Sequence, residues 1–171
     1  MSLSLYDASI PGYVRMLRNL SAIFAKAEGH AGAGGADLQA YADARLAPDM
    51  ASLIGQVQLA TDAAKSGAAK LAGVAAPSFP DVETTWDELK VRIDKTVAFL
   101  ETIKREQVDG GEGRTVELPL PGRTLTFKAP DFLFQFSLPN FHFHVVTAYA
   151  LLRAQGVPIG KVDYLAGGQS F

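Results

Sequence analysis

The sequence predicts an all-α protein of four long helices, with a small β-hairpin between the third and the fourth. Three observations carry that reading. Apolar residues recur at steps of three and four in four separate stretches, the mark of amphipathic helices. Glycine- and proline-rich segments interrupt the pattern between the first three. One short region, on either side of "PLPG", switches to period two. At 171 residues the chain fits a single domain, residues 1–171, long enough to bury a core without staples.

The first stripe runs from Leu5 to Ala27 through Tyr6, Ile10, Tyr13, Val14, Leu17, Leu20, Ile23 and Phe24. Pro11 falls inside it, either in the first turn after a short extended start or as a kink. "EGHAGAGGAD", Glu28 to Asp37, is expected as a loop, with His30 a solvated loop histidine. Leu38 to Leu46 is a separate short helix or a turn. Pro48 suits the first turn of the second long helix, and Asp49 then stands near its positive end. Met50, Leu53, Ile54, Val57, Ala60, Ala64 and Ala68 continue its face, with Ser66-Gly67 weakening its second half. Asp62 and Lys65 read as solvated surface. "GVAAPSFPDVE" is a second loop.

Thr84 or Thr85 caps the third helix, with Asp87 or Glu88 three residues on completing a capping box. Trp86, Leu89, Ile93, Val97, Leu100 and Ile103 form its stripe, to about Lys104. Val116 and Leu118 then alternate before "PLPG", and Leu125 and Phe127 after it. That predicts a hairpin turning at Pro121-Gly122 and lying against the helices, since two strands alone are marginal.

"FSLPNFHFHVVTAYALLRAQG", Phe136 to Gly156, holds two of the three histidines. On a strand, His142 and His144 would share a face and could chelate one metal. Phe132, Phe134, Phe136, Phe141 and Phe143 do alternate. Pro139 would break a central strand, however, and Phe141, Val145, Ala148 and Leu152 step as a helix that stops at Gly156. The prediction is therefore helix, with Pro139 in its first turn. At roughly 100° per residue the two imidazoles diverge by about 200°, so one ion cannot bind both. His144 shares a stripe with Phe141, Ala148 and Leu151 and faces the core or its border. His142 lies on the Val146–Tyr149 side, nearer an edge.

Composition bounds the function. The chain is 48% hydrophobic and 20% charged, with a formal net charge of −2. No basic stripe suits a nucleic-acid backbone or an anionic bilayer, so neither nucleic acid nor membrane is expected as a partner. The absence of cysteine removes disulfides, thiolate nucleophiles and cysteine-type zinc sites together. No signal peptide is visible and no apolar run approaches the 18 or so residues of a span. A cytoplasmic location is the default expectation.

The opening "MSLSLYDASIPGYVRMLRNLSAIFAKA", the middle "LAPDMASLIGQVQLATDAAK" and the close "LPNFHFHVVTAYALLRAQGVPIGKVDYLAG" resemble the bacterial DUF1993 family, grouped with the DinB/YfiT-like four-helix bundles. The resemblance covers essentially the whole chain. It implies the up-down-down-up bundle of that superfamily, typically as a homodimer. Many DinB-like proteins bind a divalent metal through one histidine on the second helix and an HxxxH pair on the last, since i, i+4 spacing puts the pair on one face. Here His144 matches the first member of the pair, Ala148 stands at the second, and Gln56 is the counterpart on the second helix. That departure leads us to expect no metal and no cofactor.

The residues then support a small-ligand-binding or stress-related module, with a pocket near His144 lined by Gln56, Asp49 and Tyr149. Tyr149 also reads as a core-edge aromatic, and Lys161 and Asp163 as residues that tie down the tail. The alternatives are a metal-dependent DinB-like transferase or hydrolase using His144, with Asp49 as acidic partner, and a purely structural homodimer.

Overall fold

The structure of the protein, a computed structural model, describes residues 4–169. Most of them are helical. Four helices are long: α1 (Ile10–Gly34), α3 (Leu53–Ala72), α4 (Trp86–Thr102) and α7 (Leu138–Ala154). Short helices join or flank them: α2 (Leu38–Asp43), α5 (Arg105–Val108), α6 (Ala129–Asp131) and α8 (Lys161–Ala166). Between α5 and α6 lies a two-stranded antiparallel sheet, β1 (Thr115–Leu120) and β2 (Arg123–Lys128). Its register pairs Leu118 with Leu125 and Leu120 with Arg123, which leaves Pro121-Gly122 as the turn.

The apolar stripes explain the packing. Tyr13, Leu17, Leu20 and Phe24 of α1 are buried, as are Val57, Ala60, Ala64 and Ala68 of α3. Leu89, Ile93 and Leu100 of α4 and Phe141, Val145, Ala148 and Leu152 of α7 join the same core. In consequence α3 packs on α4 and α7, and α1 packs on the same two helices. Trp86 closes one end. Its ring stacks on Phe24 at a centroid distance of 4.2 Å, and its indole N–H donates to Glu28 at 2.9 Å.

Several expectations need correcting. Residues 5–9 form a hydrogen-bonded turn in place of an extended start, while Pro11 takes the first of its two expected places, the first turn of α1. α1 does not stop at Ala27 but runs through the glycines to Gly34, so His30 is helical and half-buried. Buried Ala27 and Ala31 hold that turn to the core, which outweighs the roughly 0.5–1 kcal/mol each interior glycine costs. The helix ends where Gly35 takes a left-handed conformation, φ 68°.

The second long helix starts later than Pro48. Ser52 caps it, its hydroxyl accepting from the Gly55 N–H at 3.5 Å. Pro48 and Asp49 lie in the preceding turn, and Asp49 is exposed. It therefore neither sits at a helix N-terminus nor shares a helical face with Gln56.

α4 carries the expected capping box, Thr85 with Glu88, and ends at Thr102, two residues early. Asp62 and Lys65 are not simple solvated surface. Arg92 of α4 is fully buried and bonds Asp62 at 2.9 Å, Asp81 at 2.8 Å and Glu83 at 2.8 Å, while Lys65 is buried beside Asp62 at 2.9 Å. The ammonium groups of Lys65 and Lys95 stand over the Phe79 ring, 4.6 and 4.7 Å from its centroid. This network pins the loop between α3 and α4 to both helices.

Phe132–Ser137 is a π-helix that continues from α6 into α7. The Leu138 N–H bonds the Leu133 carbonyl, one residue further back than in an α-helix. Pro139 has no N–H to offer the Gln135 carbonyl, and the backbone just before it runs one residue wide. Alternation of Phe132, Phe134 and Phe136 thus belongs to a widened helix, in which Phe132 and Phe136 stack at 6.0 Å.

Candidate functional site

The two neighbouring histidines lie in α7 and make different contacts. His142 Nδ1 meets the Tyr164 hydroxyl of α8 at 3.1 Å. His144 Nδ1 meets Gln56 Oε1 of α3 at 2.8 Å. Their rings serve two different seams, so no ion is shared between them. Tyr149 belongs with His142, since its ring packs edge-on to Tyr164 at 6.1 Å. Among the residues expected around His144, the structure brings only Gln56 to it; Asp49 stands exposed in the turn before α3, and Tyr149 on the α8 side.

The His144–Gln56 contact has a defined polarity. Gln56 is 2% exposed, and its amide Nε2 donates to the Ala51 carbonyl at 3.3 Å. That turns Oε1, which only accepts, toward the imidazole. Nδ1 of His144 must therefore carry the hydrogen, and Nε2 of the neutral ring is left with a lone pair. Burial lowers the His144 pKa below its ordinary value of 6.5, so the ring is neutral at pH 7. Nε2 has no partner among the described residues, yet no buried polar side-chain atom there is unpaired; Nε2 is thus not sealed from solvent in this half-buried residue. Beside it the exposed ring of Phe143 stands edge-on at 5.3 Å.

His142 is also held below 6.5, by burial first and then by the positive charge of Arg15. It borders a cleft of about 330 Å³ with Asp7, Arg15, Met16 and Leu138. The tail is fastened by Asp163, whose carboxylate accepts from the Gly160 N–H at 2.7 Å and pairs with Lys26 of α1. Lys161 is exposed.

A metal ion does not fit this donor set. A neutral glutamine already holds Nδ1 of His144. Ala148, one turn on, is fully buried and offers no donor. Among the described residues no group of three or more His, Cys, Asp or Glu side chains is placed to hold an ion.

The α3–α7 seam continues away from His144. The two helices run antiparallel, with Gln56 opposite His144 near one end and Gly67 opposite Ser137 at the other. Between them lies a cleft of about 230 Å³ with Leu59, Asp62 and Ala63 of α3, Leu118 of β1 and Asn140 of α7 in its walls. Ser137 was not singled out from the sequence, although Gly67, read there only as a helix-weakening residue, marks its position. A Cβ on Gly67 would lie 2.3 Å from Ser137 Oγ.

The architecture, a mostly helical protein with one short hairpin, is that of a DinB-type fold. A crystal structure of a DinB family member protein from Shewanella denitrificans is similar to it, with a TM-score of 0.87 and 38% sequence identity over 98% of this chain and 94% of that one. Residues 5–165 match the model of DUF1993, a domain of unknown function, and the chain belongs to the DUF1993 family. No curated protein matches it.

Proposed function

We propose that this protein is a metal-independent, small-ligand-binding module on a DinB-type four-helix bundle of α1, α3, α4 and α7, and that His144 is its polar anchor. The observation that supports this reading is the Gln56–His144 hydrogen bond, which fixes the tautomer and presents Nε2 as a preset acceptor for a ligand O–H or N–H. Phe143 supplies an apolar flank. Solvation on one side and a fixed ring on the other suit recognition, where preorganisation lowers the cost of binding.

Catalysis is the weaker reading on chemical grounds. A general base gains from a carboxylate on its second nitrogen, which stabilises the imidazolium as it forms. Gln56 carries no charge, burial disfavours the cation, and Asp49 is not the acidic partner. A metal-dependent transferase or hydrolase would need donors that Gln56 and Ala148 do not supply.

A thermal-shift screen of small hydrogen-bond donors tests the proposal, because a ligand that binds only the native state raises the melting temperature. Stabilising compounds should lose their effect on both His144→Ala and Gln56→Leu. Equal shifts in wild type and variants for every stabilising compound would refute the role of His144, and stoichiometric zinc or nickel in untagged protein, lost on His144→Ala, would favour the metalloenzyme.

A second reading, a structural homodimer, has one observation in its favour: Phe143 and Val146, 56% and 45% exposed, lie on one side of α7. Light scattering that gives a dimer dissociated by Phe143→Asp, with ligand shifts absent, would favour it.

A further inference from the structure

Against the cleft over the π-helix lies a hydroxyl pair with one hydrogen to spare. Tyr13 Oη and Ser137 Oγ lie 2.7 Å apart, and their residues are 0% and 2% exposed. Two hydroxyls bring two hydrogens, and the bond between them uses one. Other buried hydroxyls on these helices spend theirs on a carbonyl three or four residues back, as Ser9, Thr61, Thr96 and Thr147 do. Ser137 does not, for it sits where the π-turn has widened the ladder. Among the described residues the pair has no other hydrogen-bond partner. Burial pushes the Tyr13 hydroxyl up to about 12, so it stays protonated and keeps its hydrogen.

Of the two residues, only Ser137 borders the cleft. Tyr13 donating to Ser137 Oγ leaves the serine hydrogen for whatever occupies that space. Around it the walls are apolar and partly aromatic, with Phe132 and Phe136 stacked on one side and Leu59 and Leu118 among the rest. Besides Ser137, the polar residues at the cleft are Asp62, Ser66 and Asn140. Asp62 already faces Arg92 and Lys65, while Asn140 is half-buried and its amide makes no side-chain hydrogen bond among the described residues.

We infer that this cleft is a binding site for a small, neutral, planar molecule bearing a carbonyl oxygen, which accepts from Ser137 Oγ–H while its apolar body lies against Phe132 and Phe136. The volume of about 230 Å³ is below the usual range for drug-sized ligands and suits a single-ring compound. Among the described residues no cationic side chain lines the cleft, which disfavours an anionic ligand, whereas amide hydrogens on the ligand would find Asp62 or the Asn140 carbonyl. The π-helix is what makes the site: an α-helical turn would return the serine hydrogen to its own backbone.

The test uses benzamide, with benzoate as its charged counterpart, in two-dimensional NMR titrations of the full chain. Benzamide should give saturable shifts at the amides of Gly67, Ser137 and Asn140, and benzoate at the same concentrations should give markedly smaller ones. Ser137→Ala should weaken benzamide by about fivefold or more, the scale of one neutral hydrogen bond. Ala63→Leu, which fills the cleft without touching the hydroxyl pair, should abolish the shifts and serves if Ser137→Ala fails to fold. His144→Ala should leave them unchanged, so this site stands or falls apart from the His144 proposal. Shifts that do not saturate, that spread over the surface, or that persist in Ala63→Leu would overturn the inference, as would a high-resolution structure in benzamide with only water on Ser137.

Discussion

At the scale of single residues, His144 is governed by what faces its two nitrogens. Gln56 can only accept from Nδ1, burial disfavours the imidazolium, and Nε2 meets solvent. Replacing the amide by a carboxylate reverses one of those terms, because a negative charge at hydrogen-bond distance favours the cation. In Gln56→Glu the His144 pKa, followed by the ring proton shifts, should therefore rise from below 6.5 to above it. A value unmoved by that substitution would mean that the ring does not contact residue 56. His144 and Gln56 were both legible in the sequence, one from its stripe and the other from the resemblance. Asp49 and Tyr149 were not, for different reasons. Asp49 was placed by assuming that Pro48 opens the helix, whereas Ser52 is the cap. Tyr149 lies five residues from His144, about 140° round the helix, on the side the helical pattern already gave to His142; only its contact with Tyr164 of α8 is one that no local pattern reveals.

At the scale of elements, the same residue type has opposite consequences on two helices. Gly67 is pressed against Ser137 Oγ and Tyr13 Oη, at 2.3 and 3.0 Å from where a Cβ would stand. Gly67→Ala should cost about 2 kcal/mol through overpacking and a displaced hydroxyl pair. On α1, Gly29 has open space around it, and Gly29→Ala should stabilise the protein by roughly 0.5–1 kcal/mol. Chemical denaturation of both variants checks the pair of signs. From sequence alone Gly29 read as part of a loop and Gly67 as a weak point within a helix, because propensity does not reveal which side of a helix is crowded. The capping box at Thr85 and the turn at Pro121-Gly122 were legible since each is decided within four residues. The π-helix was not: its phenylalanines at period two mimic a strand, and only the ladder upstream of Pro139 distinguishes the two.

For the whole molecule, pH links the two histidine seams to stability. His142 and His144 are both held neutral below the ordinary 6.5, so the unfolded chain binds protons more readily than the folded one. Their contribution is fully present above about pH 6.5 and is lost as pH falls through the lowered folded values. The carboxylates of Glu28, Glu83 and Asp163 are also lowered, and their contribution goes at still lower pH, below the ordinary carboxylate range. Urea midpoints should accordingly fall between pH 7.5 and 5.5, and the double variant His142→Gln with His144→Gln should flatten that slope while keeping the loss below pH 4.5. The helical class of the fold was legible from its stripes, as was the existence of one short antiparallel hairpin from its period-two residues. How the helices meet was not, because an apolar stripe does not name its partner, and the contact that joins α3 to α7 at His144 spans 88 residues of chain.

The central claim is that a neutral His144, its hydrogen on Nδ1, offers an open Nε2 to a ligand. A long-range nitrogen–proton correlation spectrum of the His144 ring at pH 7 measures it directly. Nδ1 should resonate as a protonated nitrogen and Nε2 as an unprotonated one, with that pattern lost in Gln56→Leu. A ring protonated on Nε2, or on both nitrogens, would contradict the account.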